Sequence, residues 1–379
     1  MTAYVVSGSM IRFGRYPDSG YAGLATGPAR AAVTDSGLAP DRIERVFCGH
    51  SFGGMLVGQR VVKSLGIRGI PVVNVENACS GGATALHQAV RAIASGECDS
   101  ALVIGVDKLS QFGGGTLPLV MEDPEVKQGM VMPAMYAMRA QRFLHERAAD
   151  VRDLAAVAVK AHDHGAANPY AQYRKRVTVE EVLTSRPIAD PLTLLQCCPT
   201  GDGAAAVVVV SERLRRTLDR PTAWVAGSAL HSGALSYGHR DMIRPVISGD
   251  SARDALSEAG VGADELDVVE LHDAFTVAEL VYYEALGLCG PGEAVDFFRR
   301  GDSTYGGQVV VNPSGGLLSK GHPVGASGVA QVVEVFWHLT DQAGARQVPS
   351  AAWAMTHVTG GGIAGLDHGS CAVHVFGRG

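Results

Sequence analysis

The sequence predicts a layered α/β protein with a mainly parallel sheet and two related halves. Short apolar runs rich in β-branched residues alternate with helix-like stretches along the 379 residues. The 48 glycines cluster in short groups between these runs, as is typical of tight turns at the ends of strands. A hydrophobic content of 46% allows the chain to bury a large core.

The first half contains the clearest elements, because its apolar runs are short and uninterrupted. Such runs are typical of strands that helices cover on both faces. The predicted strands are 3–8, 45–49, 72–76, 100–106 and 204–210. The predicted helices are 23–37 and 81–96.

The second half repeats this pattern. ACSGGATALHQAVRAIASG and VGASGVAQVVEVFWHL are both Gly/Ser-rich turns that open a long helix. This echo predicts an internal duplication, with an N-terminal half at 1–220 and a C-terminal half at 221–379. The predicted elements of the second half are strands at 222–230, 267–272, 350–358 and 370–376, and helices at 251–261, 277–287 and 325–339.

Residues 116–194 differ from their surroundings, because they are rich in methionine and charge and carry little strand signal. We interpret them as a mostly helical loop domain inserted in the first half. The methionine and aromatic spacing within it indicates core packing rather than a ligand site.

Composition argues against several classes of protein. A net charge of −6 offers no basic patch for a phosphate backbone, so we expect no nucleic-acid partner. No apolar run approaches the roughly 20 residues that span a bilayer, and the N-terminus does not resemble a signal peptide. We therefore expect a cytoplasmic protein that is not associated with a membrane. The 7 cysteines are scattered, which predicts reduced thiols, and their spacing predicts no metal site.

Cys79 is the candidate nucleophile. It stands in ENACSGGATAL, between the apolar run 72–76 and a predicted helix. A strand that turns into a helix exposes the turn residue and directs the helix N-terminus toward it, which favours a thiolate and supplies N–H groups for an oxyanion. A buried structural cysteine is the alternative, but the small neighbouring residues leave space for a substrate.

Three histidines also stand at predicted junctions between strands and turns. His322 lies in NPSGGLLSKGHPVGASG, ahead of a helix, where an imidazole is placed to take a thiol proton. His272 follows the strand-like DVVEL, and His357 precedes the triple glycine at 360–362. Each histidine also has a purely structural interpretation, either as a water-exposed loop residue or as a residue at a strand end that bonds to the backbone. Together with Cys79 they indicate chemistry of the Cys–His type.

Five blocks of sequence resemble the thiolase superfamily, in particular the branch of sterol-carrier-protein-linked thiolases and archaeal acetoacetyl-CoA thiolases. They span most of the chain in the family's order, and the GHP and LQCCPT motifs are the most specific. The blocks are 74–86, 168–209, 268–289, 301–328 and 354–362.

The resemblance implies a duplicated five-layer αβαβα thiolase fold and a homodimer. Cys79 would be acylated by an acyl-CoA and His322 would activate it. His272 would contribute to an oxyanion hole, and N–H groups at Cys79 and near Gly361 to a second. Coenzyme A, a thioester substrate rather than a permanently bound cofactor, would lie along the loop domain. Three further glycine-loop positions belong to these expectations: Gly316 in the substrate pocket, and Ser314 and Gly315 as coenzyme A contacts.

One position departs from the branch. Where relatives carry His-Asp-Cys-Phe, with the cysteine as the second acid/base, this chain has Ala274. No cysteine precedes the C-terminal glycines either, so we expect His357, His50 or Tyr305 to move the proton, or a different reaction. The C-terminal segment also brings Asp367 and His368 close to the glycines in sequence.

Three functions follow. The first is a thiolase-like acyltransferase that makes or cleaves a carbon–carbon bond of a β-ketoacyl thioester through an acyl-Cys79, with His50 serving a carbon acceptor. The second is a retro-aldol lyase without an acyl-enzyme, favoured by the missing second cysteine. The third is a non-catalytic acyl-CoA-binding scaffold. Some relatives work with a small zinc-ribbon/OB-fold protein, which makes such a protein a possible partner.

Overall fold

Strands and helices alternate in the computed structural model, which describes residues 2–233, 241–361 and 368–379. Each strand and helix predicted from the sequence overlaps an observed element. The strands are β1 (Ala3–Met10), β2 (Arg45–Gly49), β3 (Val72–Val75), β4 (Ser100–Lys108), β5 (Pro187–Ala189), β6 (Leu192–Thr193), β7 (Asp202–Ser211), β8 (Ala223–Ser232), β9 (Val268–Glu270), β10 (Val310–Val311), β11 (Trp353–Gly360) and β12 (Ser370–Arg378). The α-helices are α1 (Tyr21–Ser36), α2 (Val57–Leu65), α3 (Gly81–Ala94), α4 (Pro124–Lys127), α5 (Met132–Glu146), α6 (Val151–Ala166), α7 (Val179–Leu183), α8 (Glu212–Arg215), α9 (Val246–Ala259), α10 (Thr276–Ala285), α11 (Ala294–Arg299), α12 (Gly316–Lys320) and α13 (Val324–Leu339).

The sheet shows the duplication directly. Its strand order is β3-β2-β4-β7-β1 in the first half and β10-β9-β11-β12-β8 in the second, so the two halves have the same order when the count restarts at β8. The halves meet where Ala3–Val5 of β1 pairs antiparallel with 223–225 of β8. The prediction of two related halves is therefore reproduced strand by strand.

The prediction of a mainly parallel sheet is wrong. Four pairings, those of β2 and β9 with their neighbours, are parallel, whereas five are antiparallel. The antiparallel pairings all involve β7, β12 or the junction between β1 and β8. Apolar runs report burial on both faces but not strand direction, and direction depends on whether a crossover helix joins two neighbouring strands.

Two helices form the central layer between the halves. Every residue of α13 is buried, because α13 packs against both halves of the sheet and against α3. The helices approach closely at glycines: a Cβ on Gly82 would lie 2.4 Å from the carbonyl oxygen of Gly325. Helices α1 and α2 cover the outer face of the first half, and α9 and α10 that of the second. The resulting five layers place the N-termini of α3 and α13 side by side.

The chain between β4 and β7 holds α4 to α7 and the two-stranded pair β5–β6. It is mostly helical, as predicted, and α5 and α6 pack against α10 of the second half. The limits 116–194 for this loop domain, and the division of the chain at 220/221, stay predictions. Among the described residues, no helix is both long and apolar enough to cross a membrane.

Candidate active site

Cys79 stands at a strained turn between β3 and α3. The preceding residue, Ala78, has a φ of 46°, in the left-handed region that non-glycine residues rarely adopt. Its N–H donates to the Glu76 carboxylate at 2.7 Å, and its carbonyl accepts from the Ser51 hydroxyl at 3.0 Å. Cys79 itself is half-buried. Strain held by specific contacts beside a candidate nucleophile is typical of functional sites.

The structure brings Cys79, His272 and His322 together. One ligand atom from each, the cysteine Sγ and a ring nitrogen of each histidine, all lie within 4.8 Å of one another. The two imidazoles meet edge to face, with ring centroids 5.0 Å apart at 88°. We call these three residues the Cys79 cluster. Cysteine and histidine are also zinc ligands, and the expected absence of a metal site stays a prediction.

Hydrogen bonds assign the tautomer of His322. Its Nδ1 lies 2.7 Å from the Ser327 hydroxyl, which itself donates to the carbonyl of Pro323 at 3.0 Å. The hydroxyl proton is thus committed, so Nδ1 carries the hydrogen that it donates to Ser327, and Nε2 has a free lone pair. Within the described ranges no hydrogen-bond partner satisfies this Nε2. The imidazole is therefore oriented to accept a proton.

A buried ionic network holds the loop that carries His322. Glu270 accepts from the N–H of Ser314 at 3.0 Å and from its hydroxyl at 2.7 Å, and it pairs with Lys320 at 3.2 Å. Both charged side chains are fully buried. A buried pair with these added hydrogen bonds fixes geometry, because moving either partner leaves an uncompensated charge.

His357 lies behind His272. Its Nδ1 accepts the His272 backbone N–H at 3.5 Å, and its Nε2 lies 2.9 Å from the Ser248 hydroxyl. The side chain is fully buried, with both ring nitrogens engaged. These contacts favour a positioning role for His357 over the predicted role as an acid/base.

Burial dominates the electrostatics of the Cys79 cluster. It raises the pKa of Cys79 to about 12, although the N–H of Gly361 opposes the shift by hydrogen bonding to the sulfur. Burial lowers the pKa of His322 to about 3, with Lys320 adding to the effect. The pKa of His272 also lies well below its ordinary value because of burial and of His322. The resting cluster is thus a neutral thiol between neutral imidazoles.

This resting state predicts how Cys79 reacts with pH. Because the thiolate is the reactive form and the pKa of Cys79 is raised, we expect iodoacetamide alkylation to rise about tenfold per pH unit between about pH 7 and 9, without a plateau. Peptide mapping measures the rate at Cys79 specifically, with Cys79→Ala as the blank. A plateau below about pH 8 would instead indicate a resting thiolate–imidazolium pair.

Gly361 connects the cluster to the chain end. Its φ is 62°, and its carbonyl accepts from Nδ1 of His368 at 2.9 Å, while its N–H faces the sulfur of Cys79. An N–H in this place suits the oxyanion expected there. Asp367, which the sequence placed beside His368, lies outside the described residues.

Tyr305 does not join the Cys79 cluster. It is 41% exposed and its hydroxyl donates to the carbonyl of Arg346 at 2.6 Å. Its ring packs edge-on against His164 beside a surface cavity of about 380 Å³. The expectation that Tyr305 moves the substrate proton is therefore not supported. Tyr305 lies in the block 301–328 that resembles the family, but a sequence block does not determine which way a side chain points.

Three glycine-loop positions serve the scaffold. Ser314 is fully buried against Glu270, and a Cβ on Gly315 would lie 2.7 Å from Cα of Gly165. Gly316 has a φ of 59° and packs on the Asp273 carboxylate. The assignment of Ser314 and Gly315 to coenzyme A stays a prediction, and this burial does not favour it.

Ala274 and His50 flank the cluster in different ways. Ala274 is 7% exposed, and its carbonyl accepts the N–H of Cys198 at 2.9 Å. His50 follows β2, and its backbone N–H donates to the carbonyl oxygen of Val75 at 3.1 Å. Both ring nitrogens of His50 are buried without a hydrogen-bond partner among the described residues. A role for His50 toward an acceptor stays a prediction.

Sequence reasoning missed Tyr136 and Tyr282, which reach the same site. Both hydroxyls lie near Nε2 of His368, at 3.2 Å and 3.3 Å. Tyr136 belongs to the methionine-rich helix α5, whose spacing indicated packing alone. No local signal marks a side chain whose partner is 232 residues away.

Comparison with known proteins places this geometry in a family. The model "Thiolase, N-terminal domain" matches residues 3–213, and "Thiolase C-terminal domain-like" matches residues 229–372. Three curated relatives agree. Benzoylsuccinyl-CoA thiolase subunit BbsB of Thauera aromatica is 43% identical, over 95% of this chain and 94% of its own. Sterol carrier protein 2 of Bos taurus is 38% identical, over 91% and 66%. Acetyl-CoA acetyltransferase of Methanothermobacter thermautotrophicus is 35% identical, over 99% of both.

Solved structures confirm the predicted five-layer fold. The Ltp2-ChsH2(DUF35) aldolase superposes with a TM-score of 0.85 at 25% identity, covering 100% of this chain and 98% of its own. Human mitochondrial 3-ketoacyl-CoA thiolase in complex with CoA has a TM-score of 0.78 at 17% identity, with the same coverage. The first is described as an aldolase and the second as a thiolase, so similarity of fold alone does not identify the reaction.

Proposed function

The chain belongs to the thiolase superfamily, and we propose that it is an acyltransferase that makes or cleaves a carbon–carbon bond of a β-ketoacyl thioester through an acyl-Cys79. One observation carries this proposal: the sulfur of Cys79 lies within 4.8 Å of ring nitrogens of His272 and His322. A nucleophile beside an oriented base is the arrangement that covalent acyl transfer needs.

In the cleavage direction, Nε2 of His322 takes the proton of Cys79 as the sulfur attacks the β-carbonyl carbon. The carbonyl oxygen becomes an oxyanion, which the backbone N–H groups of Cys79 and Gly361 would stabilise, while His272 would serve the other oxyanion hole. As the carbonyl re-forms, the bond between the α- and β-carbons breaks, and its electron pair leaves as a thioester enolate. Protonation of the enolate carbon releases the CoA thioester that keeps the α-carbon, acetyl-CoA in the simplest case, while the shortened acyl group stays on Cys79.

Coenzyme A completes the reaction as a second substrate. Its thiol attacks the acyl-Cys79 carbonyl, the carbon–sulfur bond to Cys79 breaks, and the CoA thioester leaves while Cys79 regains a proton. The relatives named for benzoylsuccinyl-CoA and for acetyl-CoA both point to CoA thioesters as the substrate class.

A retro-aldol lyase is the second candidate. It is favoured by Ala274, where the resemblance implies a second catalytic cysteine, and by the similarity to an aldolase. A lyase of this kind forms no acyl-enzyme and needs no free coenzyme A. The oriented Nε2 of His322 favours the transferase, because that lone pair serves a nucleophilic thiol.

We also propose two kinds of partner. A homodimer follows from the family resemblance. A small zinc-ribbon/OB-fold protein is supported by the aldolase, whose name pairs it with a DUF35 protein, and by the relative described as a subunit.

The requirement for free coenzyme A separates the two reactions. We expect the protein to cleave acetoacetyl-CoA, the simplest β-ketoacyl-CoA, to two acetyl-CoA only when free coenzyme A is added. Chromatography of the thioesters measures the products. The same assay with a β-hydroxyacyl-CoA and no added coenzyme A serves as the comparison. Cleavage of the hydroxy compound, without any coenzyme A-dependent cleavage of the keto compound, would overturn the proposal in favour of the lyase.

A further inference from the structure

His368 and two tyrosines form a buried cluster beside the nucleophile. Nε2 of His368 lies 3.2 Å from the hydroxyl of Tyr136 and 3.3 Å from that of Tyr282. Tyr136 is 4% exposed and Tyr282 is fully buried. No step described above uses these groups, although three polar side chains are held together in the interior.

The hydrogen bonds of His368 assign its proton. Nδ1 lies 2.9 Å from the carbonyl oxygen of Gly361, which only accepts, so Nδ1 carries a hydrogen. In a neutral imidazole Nε2 is then an acceptor, and a tyrosine hydroxyl donates to it. The hydroxyls of Tyr136 and Tyr282 both lie within reach of this lone pair, and donation by Tyr136 gives a phenol–imidazole pair in which a proton can pass from the phenol to Nε2.

This pair borders the position where the second acid/base is missing. The ring of Tyr136 stacks on Phe275, with centroids 4.3 Å apart at 22°, and Phe275 directly follows Ala274. On the other side, Gly361 accepts from His368 and directs its own N–H at the sulfur of Cys79.

The surroundings keep the pair neutral. Burial and the nearby Arg139 guanidinium lower the pKa of His368 to about 3. Burial first, and then Tyr282, raise the pKa of Tyr136 well above its ordinary value. In the resting protein the phenol is therefore protonated and the imidazole uncharged. A neutral donor and a neutral acceptor avoid the desolvation cost that an unpaired buried charge would impose.

We propose that Tyr136, paired with His368, moves the proton at the substrate α-carbon, in place of a thiol at position 274. The inference rests on the proposed acyl transfer and names its missing proton-transfer group. In condensation, the α-carbon–hydrogen bond breaks, and the oxygen of Tyr136 takes that proton while passing its own to Nε2 of His368. The electron pair left behind forms the enolate, whose carbon attacks acyl-Cys79. Cleavage runs the same proton path in reverse.

Acetyl-CoA separates the proton step from acylation. The exchange of labelled coenzyme A into acetyl-CoA measures acylation of Cys79, because this exchange breaks no carbon–hydrogen bond. The uptake of solvent deuterium into the acetyl methyl group measures proton transfer at the α-carbon. For Tyr136→Phe we expect deuterium uptake to fall about 10²-fold or more, with coenzyme A exchange changed less than about threefold. Tyr173→Phe, which alters an exposed tyrosine of the same loop domain, is the matched control.

Rescue tests the position of the group. A thiol introduced in Tyr136→Phe/Ala274→Cys should restore deuterium uptake at least about tenfold over Tyr136→Phe alone, because Ala274 adjoins the ring that Tyr136 stacks on. Unchanged deuterium uptake in Tyr136→Phe would overturn the inference. Equal loss of both exchanges would also overturn it, since the hydroxyl would then support the whole site. Absence of coenzyme A exchange in the wild-type protein would instead refute the acyl transfer itself.

Discussion

Replacing Cys79 by alanine is expected to reduce coenzyme A-dependent cleavage of acetoacetyl-CoA by at least about 10⁴-fold. The sulfur is the atom to which the acyl group must bind, and no other cysteine belongs to the Cys79 cluster. A missing nucleophile cannot be replaced by the oxyanion hole, which stabilises only an intermediate that no longer forms. Steady-state assays with acetoacetyl-CoA measure the loss.

Cys289→Ala is the matched control, because Cys289 is half-buried at the edge of the core of the second half. It should keep full turnover. Circular dichroism and thermal unfolding of both variants establish that they fold, since the cavity left by removing one thiol costs little stability. Full turnover by Cys79→Ala would contradict the acyl-enzyme and leave the lyase as the better account.

Replacing His322 by glutamine is expected to lower acylation of Cys79 by about 10³-fold to 10⁴-fold. Because the pKa of Cys79 is raised to about 12, few molecules carry a thiolate near neutral pH, and the reaction depends on proton transfer to Nε2 of His322. The pKa of His322, lowered to about 3, keeps that nitrogen unprotonated across the working range. Rapid-quench measurement of acyl transfer from acetyl-CoA reports the step.

Two further variants test whether His322 acts as the base. The double variant Cys79→Ala/His322→Gln should be no less active than Cys79→Ala alone, because the two residues act as a unit. Ser327→Ala should lose less activity than His322→Gln, since the imidazole remains but the hydrogen bond that holds its tautomer is gone. If His322→Gln acylates Cys79 at the wild-type rate, the imidazole is not the base.

The sequence predicted the Cys79 cluster because its members stand in local motifs. Cys79 and His322 each precede a long helix, and the glycines in those helices mark where α3 and α13 cross. His272 lies two residues after β9, a strand of the repeated order. The local motifs and the duplication predict where these residues lie in each half. The residues then come close together because the two halves pack face to face.

The remaining site residues depend on long-range packing that no local pattern carries. Tyr136 reaches His368 from the inserted helix α5, so its neighbours are set by how α5 docks on α10. Tyr305 shows the opposite case: it stands in the block 301–328 that resembles the family, yet its side chain lines a surface cavity. Strand direction failed for the same reason, because apolar runs do not record the connection that joins them.

Acylation of the sulfur of Cys79 is the central claim, and peptide mapping of a quenched reaction tests it most directly. The protein is mixed with acetyl-CoA, quenched in acid within seconds, digested and analysed by mass spectrometry. We predict one acetyl group per chain, on the peptide that contains Cys79, and its loss when free coenzyme A is added before the quench. Turnover of acetoacetyl-CoA under the same conditions, with the Cys79 peptide never acylated, would contradict the account.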